Sequence, residues 1–407
     1  MTAPLSASPD PSDDLPVVRL MPKANAKAIR HGFPWVYANE LVTDRRTRKL
    51  DAGTIARLED TARQPLGLVA LNPASKIIAR VLDRDPGARI DQDWFEGHIS
   101  RAHGLRTQVY DTPFYRLIHA EADGLPGVVI DRFGDACVVQ PNAAWADALI
   151  DPLCAALQVV TGVPNILKNA TGRARSLEGL DDQNRILAGS APDGPVQVPM
   201  NGAIYLADLT GGQKTGLFFD QRPNHEFASR FARKSRVLDI FSHVGGFSLA
   251  ALAAGAEHAL AVDGSAPALA LAAGGATAMG MADRFETRQG DAFDVLAALQ
   301  TEGAQFDLVI CDPPAFAPSR NAADAGLRAY ERVARLAAPL VAENGTLALC
   351  SCSHAVDLTQ FRGACVRGIG RAGRRATLLH TGFAGPDHPQ LPQLAESGYL
   401  KSLFFRL

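Results

Sequence analysis

The chain has 407 residues, of which 47% are hydrophobic and 21% charged, and a net charge of −2. This is the profile of an ordinary globular protein long enough for two or three domains. It contains no run of about 18 strongly apolar residues, since the uncharged segment from Pro267 to Ala282 is mostly Ala and Gly, and no membrane role is expected. Six cysteines, at 137, 154, 311, 350, 352 and 365, include no Cys-x-x-Cys pair. Neither zinc spacing nor a secreted disulfide framework fits, which predicts reduced thiols in a cytoplasmic protein.

Residues 1–16, rich in Pro, Ser and Asp, lack a basic stretch followed by an apolar one and read as a disordered tail. Over 17–90, apolar runs at 17–20, 53–58, 66–71 and 77–82 alternate with turn residues and predict a small β-rich barrel-like module. Between Val17 and Arg89, fourteen Lys or Arg stand against seven Asp or Glu, a local charge of +7, with a cluster at Arg45, Arg46, Arg48 and Lys49. Phosphate tracking and a solvated charged face account for that cluster equally well. Residues 91–107 read as a linking helix with apolar positions at Trp94, Phe95, Ile99, His103 and Leu105. A small α+β domain over 108–200 follows: two strand-like runs around the Gly124–Gly127 turn, extended runs at 137–140 and 165–168, and helical spacing over 145–160.

From 201 to 407 the pattern becomes strand, turn, helix, repeated. Apolar runs at 236–241, 259–262, 306–311 and 346–350 alternate with helical segments at 247–255, 265–279, 292–300, 327–342 and 355–368. The expected fold is α/β, a doubly wound parallel sheet, closed by a late edge pair at 375–379 and 400–407.

Four motifs stand where these strands end, at the rim where parallel sheets bind ligands. The first is Asp239-Ile240-Phe241-Ser242-His243-Val244-Gly245-Gly246, whose glycine pair lets the backbone pass close to a ligand and opens a helix. It is not the Gly-x-Gly-x-x-Gly of a dinucleotide fold, which disfavours a nicotinamide enzyme. Asp263, with Gly264 beside it, closes the second strand and is placed to accept hydrogen bonds from ribose hydroxyls. Asp291, followed by Ala292, could reach an adenine amino group from the third strand. A tight turn and two helix caps would use the same residues. Asp312-Pro313-Pro314-Ala315-Phe316 follows a buried run, and its prolines force a rigid turn that presents Asp312. A plain strand terminator would look the same. Last comes Ser351-Cys352-Ser353. A thiolate there could add to C6 of a pyrimidine and make C5 nucleophilic toward a methyl donor, loss of the C5 proton then expelling the sulfur. Cys350 is the rival thiol, and inert packing is the alternative for both; Cys311 reads as core. Together the four motifs suggest a methyl-donor cleft facing a cysteine nucleophile.

The chain resembles the S-adenosylmethionine-dependent ribosomal-RNA cytosine-5 methyltransferases of the bacterial large subunit. Those join an N-terminal PUA module, a central α+β domain and a class I (Rossmann-like) methyltransferase domain. The likeness rests on Gly32-Phe33-Pro34-Trp35-Val36-Tyr37, on Glu121 to Gly127 with Asp131-Arg132-Phe133-Gly134, and on Thr215 to Arg222. Asp387-His388-Pro389 and Gly398-Tyr399-Leu400-Lys401 match near the end. The resemblance implies that Asp220, Gln221 and Arg222 help hold S-adenosyl-L-methionine, that Cys352 is the nucleophile and that Asp312 lies against the target base. The expected donor contacts are therefore Asp220, Gln221, Arg222, Asp239, Phe241, Ser242, Gly245, Gly246, Asp263, Gly264, Asp291, Ala292 and Asp312. The family more often carries Lys where this chain has Ala315, and Tyr-Thr where it has His243-Val244. The C5 proton would go to Asp312, a water or His354. The expected partners are large-subunit ribosomal RNA or the assembling subunit, with a homodimer as a possible assembly. A base-amine or guanine methyltransferase using Asp312 without the thiol, and a non-catalytic RNA-binding assembly factor, are the alternative readings.

Overall fold

The computed structural model describes residues 15–211 and 216–407, so most of the expected tail, and Thr215, lie outside the described residues. The chain forms two compact units, one of residues up to Gln108 with Leu117–Ser190, the other of Val109–Arg116 with Ala191–Leu407. No helix among the described residues is long and apolar enough to cross a membrane.

The first unit begins with β1 (Val17–Arg19), α1 (Ala26–Arg30), β2 (Trp35–Tyr37), β3 (Ile55–Glu59), β4 (Pro65–Leu71) and β5 (Ile77–Asp83), whose strands form one sheet in the order β1-β3-β4-β5-β2. In β3 burial alternates residue by residue, as period-2 side chains require, and Ala56 and Leu58 enter a core with Val18, Val36, Val69 and Ile78. Helix α2 (Gln92–Val109) buries Phe95, Ile99 and Arg106, while Leu105, expected on the apolar face, is 42% exposed. The guanidinium of Arg106 can be buried because it bonds both carboxylate oxygens of Asp123, at 3.0 and 2.6 Å.

A second sheet runs β10-β9-β8-β7-β6, from β6 (Phe114–His119), β7 (Val128–Phe133), β8 (Ala136–Pro141), β9 (Asn165–Lys168) and β10 (Arg185–Ala188), with α3 (Ala144–Ala148), α4 (Ile150–Thr161) and α5 (Arg173–Glu178) between them. Within the first unit, Arg80 of β5 pairs with Glu121 and with Glu178 of α5, and Asn72 and Ser75 donate to the same Glu178 carboxylate. These buried charges are mutually satisfied.

The second unit opens on a hairpin, β11 (Val196–Met200) and β12 (Ala203–Ala207), that brackets the division expected at residue 200. Then come α6 (Arg222–Ser229), β13 (Arg236–Ile240), α7 (Gly246–Ala253), β14 (His258–Asp263), α8 (Ala266–Ala278), β15 (Phe285–Gln289), α9 (Ala292–Thr301), β16 (Phe306–Cys311), α10 (Ala323–Ala337), β17 (Val341–Ser351), α11 (Leu358–Arg371), β18 (Thr377–Gly382) and β19 (Lys401–Arg406). The sheet order is β15-β14-β13-β16-β17-β19-β18, parallel through β17 and antiparallel in the last two pairings. Strand order reverses between β13 and β16, so the turns after them flank the crevice where a doubly wound sheet takes its ligand. The helix expected over 327–342 ends at Ala337, because Pro339 has no N–H to continue it, and Val341 already belongs to β17. The helix expected from 355 starts instead after Asp357, whose capping box with Gln360 fixes the first turn.

Candidate functional site

The turn after β13 is built on unusual backbone. Phe241, His243 and Gly245 all have positive φ, at 64°, 49° and 82°, a conformation that side chains disfavour and that persists only where neighbours enforce it. Asp263 enforces it from the adjacent strand, its two carboxylate oxygens accepting from the N–H groups of His243 at 2.9 Å and Ser265 at 2.8 Å. At Gly245 an added Cβ would come 3.1 Å from both Ala272 and Leu249. Asp239 lies fully buried beneath the turn and accepts from the N–H of Ser248 at 2.9 Å. Burial pushes its carboxyl up to about 7.

In front of this turn lies an open recess lined by Leu217, Phe218, Gln221, His225, Phe241, Ser242, His243, Val244, Gly246, Phe247 and Asp312. Of the expected donor contacts it unites Gln221, Phe241, Ser242, Gly246 and Asp312. His225 was not among the expected residues. It is buried on α6, one helical turn after Gln221 and therefore on the same face. Burial drops its imidazole to about 3, so the ring is neutral. Its ring meets Phe247 edge-on at 4.4 Å, and a Cβ on Gly246 would come 2.7 Å from its Nε2. The Nε2 of Gln221, the Nδ1 of His225 and the Oγ of Ser242 are buried with no hydrogen-bond partner in the protein. Buried polar atoms usually find a partner, and a bound ligand or a water can supply one here. A mostly apolar recess with three such atoms fits a donor that has both an apolar surface and hydrogen-bonding groups.

The remaining expected contacts stand elsewhere. Asp220 accepts from the Tyr399 hydroxyl at 2.6 Å, and its carbonyl accepts from the N–H of Gly385. Arg222 lies with its guanidinium 4.0 Å from the Tyr110 ring centre and donates to the Phe114 carbonyl, outside the lining of the recess. Asp291 caps α9, accepting from the N–H groups of Phe293 and Asp294, and Ala292 begins that helix. Gly264 follows Asp263 at the same rim, where a Cβ would meet nothing.

Asp312 begins the turn after β16, its N–H donating to the Ile240 carbonyl. Phe316 is packed inward, its ring 5.0 Å from Tyr330 and 6.2 Å from Phe241. Strand β17 ends at Ser351, so Cys352 lies just beyond it, half-buried, with its Sγ 3.9 Å from the Pro313 carbonyl. The flanking serines hold the loop. Ser351 Oγ donates to the Tyr330 hydroxyl at 2.9 Å, that hydroxyl shares a 2.7 Å bond with Ser353 Oγ, and Ser353 Oγ accepts from the N–H of Ala317 at 3.0 Å. The thiol loop and the Asp-Pro-Pro turn are thus fastened to one another. Cys350, the rival, is 1% exposed and receives the Ser402 hydroxyl at 3.2 Å. Burial holds the thiols of Cys350 and Cys311 well above the usual range. Cys352 is the cysteine of the six that is not buried.

Comparison with known proteins gives the frame for this geometry. Residues 18–84 match a PUA-like domain and residues 179–406 an S-adenosylmethionine-dependent methyltransferase. Ribosomal RNA large subunit methyltransferase I of Aliivibrio fischeri (strain MJ11) is 33% identical over 95% of this chain and 98% of its own length. The protein of the same name from Vibrio cholerae serotype O1 is 33% identical over 93% and 96%. A Streptococcus mutans structure assigned as a SAM-dependent methyltransferase superposes with a TM-score of 0.81 at 21% identity, covering 97% of this chain and all of that one. A further solved structure, a methyltransferase by assignment and complexed with SAH, gives 0.81 at 21% over 96% and 99%. The structural likeness establishes the fold, and the sequence identity over nearly the full length establishes the lineage: the chain belongs to the S-adenosylmethionine-dependent methyltransferases, in the ribosomal RNA large subunit methyltransferase I family.

Proposed function

We propose that this protein methylates C5 of a cytosine in large-subunit ribosomal RNA, with Cys352 as nucleophile and Asp312 against the target base. The observation that carries the reading is the position of Cys352: the least buried of six cysteines, with its sulfur 3.9 Å from a carbonyl of the Asp-Pro-Pro turn. The names of the relatives support ribosomal RNA as the substrate, and the basic N-terminal module supplies charge for its phosphates. When bound, S-adenosylmethionine supplies an electrophilic methyl group on sulfonium. Gln221, His225, Ser242 and Gly246 are the residues that would hold it, with Asp263 and Asp291 at the nucleoside end.

The chain's own residues perform the remaining work. The Cys352 thiolate adds to C6 of a base taken out of its stack, forming the S–C6 bond and moving the ring's electron pair to C5. Asp312 holds the N3/N4 edge of the cytosine. Once C5 carries the methyl group, transfer of its proton to Asp312, His354 or a water restores the C5–C6 double bond and expels the thiolate. Phe316, folded into the aromatic cluster around Tyr330, is not presented beside Asp312, which favours this reading over methylation of an exocyclic amine. Incubating Cys352→Ala with donor and ribosomal RNA tests it: 5-methylcytosine should fall at least about a thousandfold, and undiminished formation would end the nucleophile assignment. Calorimetric titration of the donor separates an enzyme from an assembly factor, which would bind RNA but no donor.

A further inference from the structure

Cys352 rides on a short loop between the end of β17 at Ser351 and the start of α11 at Leu358. Beneath that loop stands Lys401, the first residue of β19, opposite Ser351 in the antiparallel register. Lys401 is 5% exposed. Its ammonium donates to the carbonyls of Ser353 at 2.8 Å and Val356 at 2.7 Å, the residues on either side of the loop's crest. Two neutral carbonyls solvate a buried ammonium without neutralising it, and a buried charge of this kind is costly unless a counter-charge is near. Among the described residues no carboxylate forms an ion pair with Lys401.

We propose that Lys401 is a positioning residue that holds Cys352 as a thiolate, its ammonium being the counter-charge for the sulfur. The proposal rests on the reading of Cys352 as the nucleophile. The two groups act on one another: burial pulls the ammonium of Lys401 below its usual range, and negative charge at Cys352 acts to raise it again. The effect is reciprocal, so a protonated Lys401 favours the ionised thiol by the same free energy. The thiol gives its proton to solvent and Lys401 takes none. Arg116 is a further cation in this neighbourhood, acting on the Tyr399 hydroxyl that also feels Cys352. The hydroxyls of Tyr330 and Tyr399 both feel Cys352 and are held neutral by burial, Tyr399 also by the neighbouring Asp220. Asp312, across the turn, raises the neighbouring Cys350 and Cys311 thiols and so works against ionisation here. Asp357 acts on Lys401 from the start of α11, and His354 is exposed on the loop itself. Lys401 is the buried cation bonded directly to the loop that carries Cys352.

The test is the pH profile of Cys352 alkylation by iodoacetamide, read on the Cys352 peptide by mass spectrometry from about pH 6 to about pH 10. In the unmodified protein the midpoint should lie below the ordinary thiol value of about 8.5. In Lys401→Met it should rise by at least about one pH unit, slowing alkylation roughly tenfold at pH 7 while the rates converge at high pH. Lys401→Arg should restore the low midpoint. A loop pin without electrostatic work would change melting temperature and leave the midpoint in place. A midpoint at or above the ordinary value in the unmodified protein overturns the proposal without any variant, so a misfolded Lys401→Met does not shield it. An unchanged midpoint in folded Lys401→Met overturns it as well. Because alkylation needs neither RNA nor donor, retained methylation by Cys352→Ala would sink the nucleophile reading while leaving this titration to stand or fall separately.

Discussion

Asp239 has no accessible surface and sits under a turn in which three residues have positive φ. Desolvation pushes its carboxyl up to about 7, against about 3.9 in an unfolded chain. The folded state therefore keeps a proton that the unfolded state releases. The stability that protonated Asp239 lends is complete below about pH 4 and is lost as the pH rises through 7. Thermal melts at constant ionic strength should show the unmodified protein losing several degrees relative to Asp239→Asn between about pH 4 and pH 7.5. Parallel pH profiles for the two proteins would contradict the buried-acid assignment. The residue scale is also where sequence reasoning left most unsaid. Asp239, Gly245 and Asp263 were visible as a motif, but whether a carboxylate faces a ligand or props the turn from behind depends on strand register. His225 could have been found from its four-residue spacing to Gln221, had the polar run Arg222–Ser229 been recognised as a helix.

The parallel strands were legible because both their faces are buried, which makes them continuous apolar runs; β13, β14 and β16 start and end within one residue of the expected limits. Strands that break this rule were not legible. Phe285–Gln289 is a polar sheet edge, Trp35–Tyr37 has three residues, and the 196–207 hairpin falls across an expected domain limit. Elements also bring together groups that are distant in sequence, as where α10 meets the end of β17: the Tyr330 hydroxyl is bonded by both serines flanking Cys352. Tyr330→Phe removes only that oxygen and leaves two buried hydroxyls short of a partner. The expected cost is about 1–3 kcal/mol of stability, with kcat falling roughly tenfold and KM little changed, since loop placement rather than binding is disturbed. Steady-state kinetics with ribosomal RNA check this, and an unchanged kcat would mean that the serines alone hold the loop.

For the whole molecule, the question is how a chain of net charge −2 engages a polyanion. Its positive charge is concentrated before residue 90, and two sets of cations there differ in what they meet. Arg19, Arg30 and Arg80 are taken up by Glu59, by Asp60, and by Glu121 with Glu178. Arg45, Arg46, Arg48 and Lys49 are exposed on one short segment. Deleting the N-terminal module would not isolate their contribution, because Arg80, Asn72 and Ser75 satisfy the buried Glu178 carboxylate within the same compact unit. Replacing the four exposed cations together with Gln leaves that network intact and changes the charge by four. If they touch phosphates, RNA affinity should fall by a similar factor for every sequence tested, since phosphate recognition carries no base information. The slope of log affinity against log salt should flatten by about 3, at roughly 0.7–0.9 for each phosphate no longer neutralised. Weaker binding with an unchanged slope would place these residues on bases or on fold stability, and an unchanged affinity would make them a solvated face.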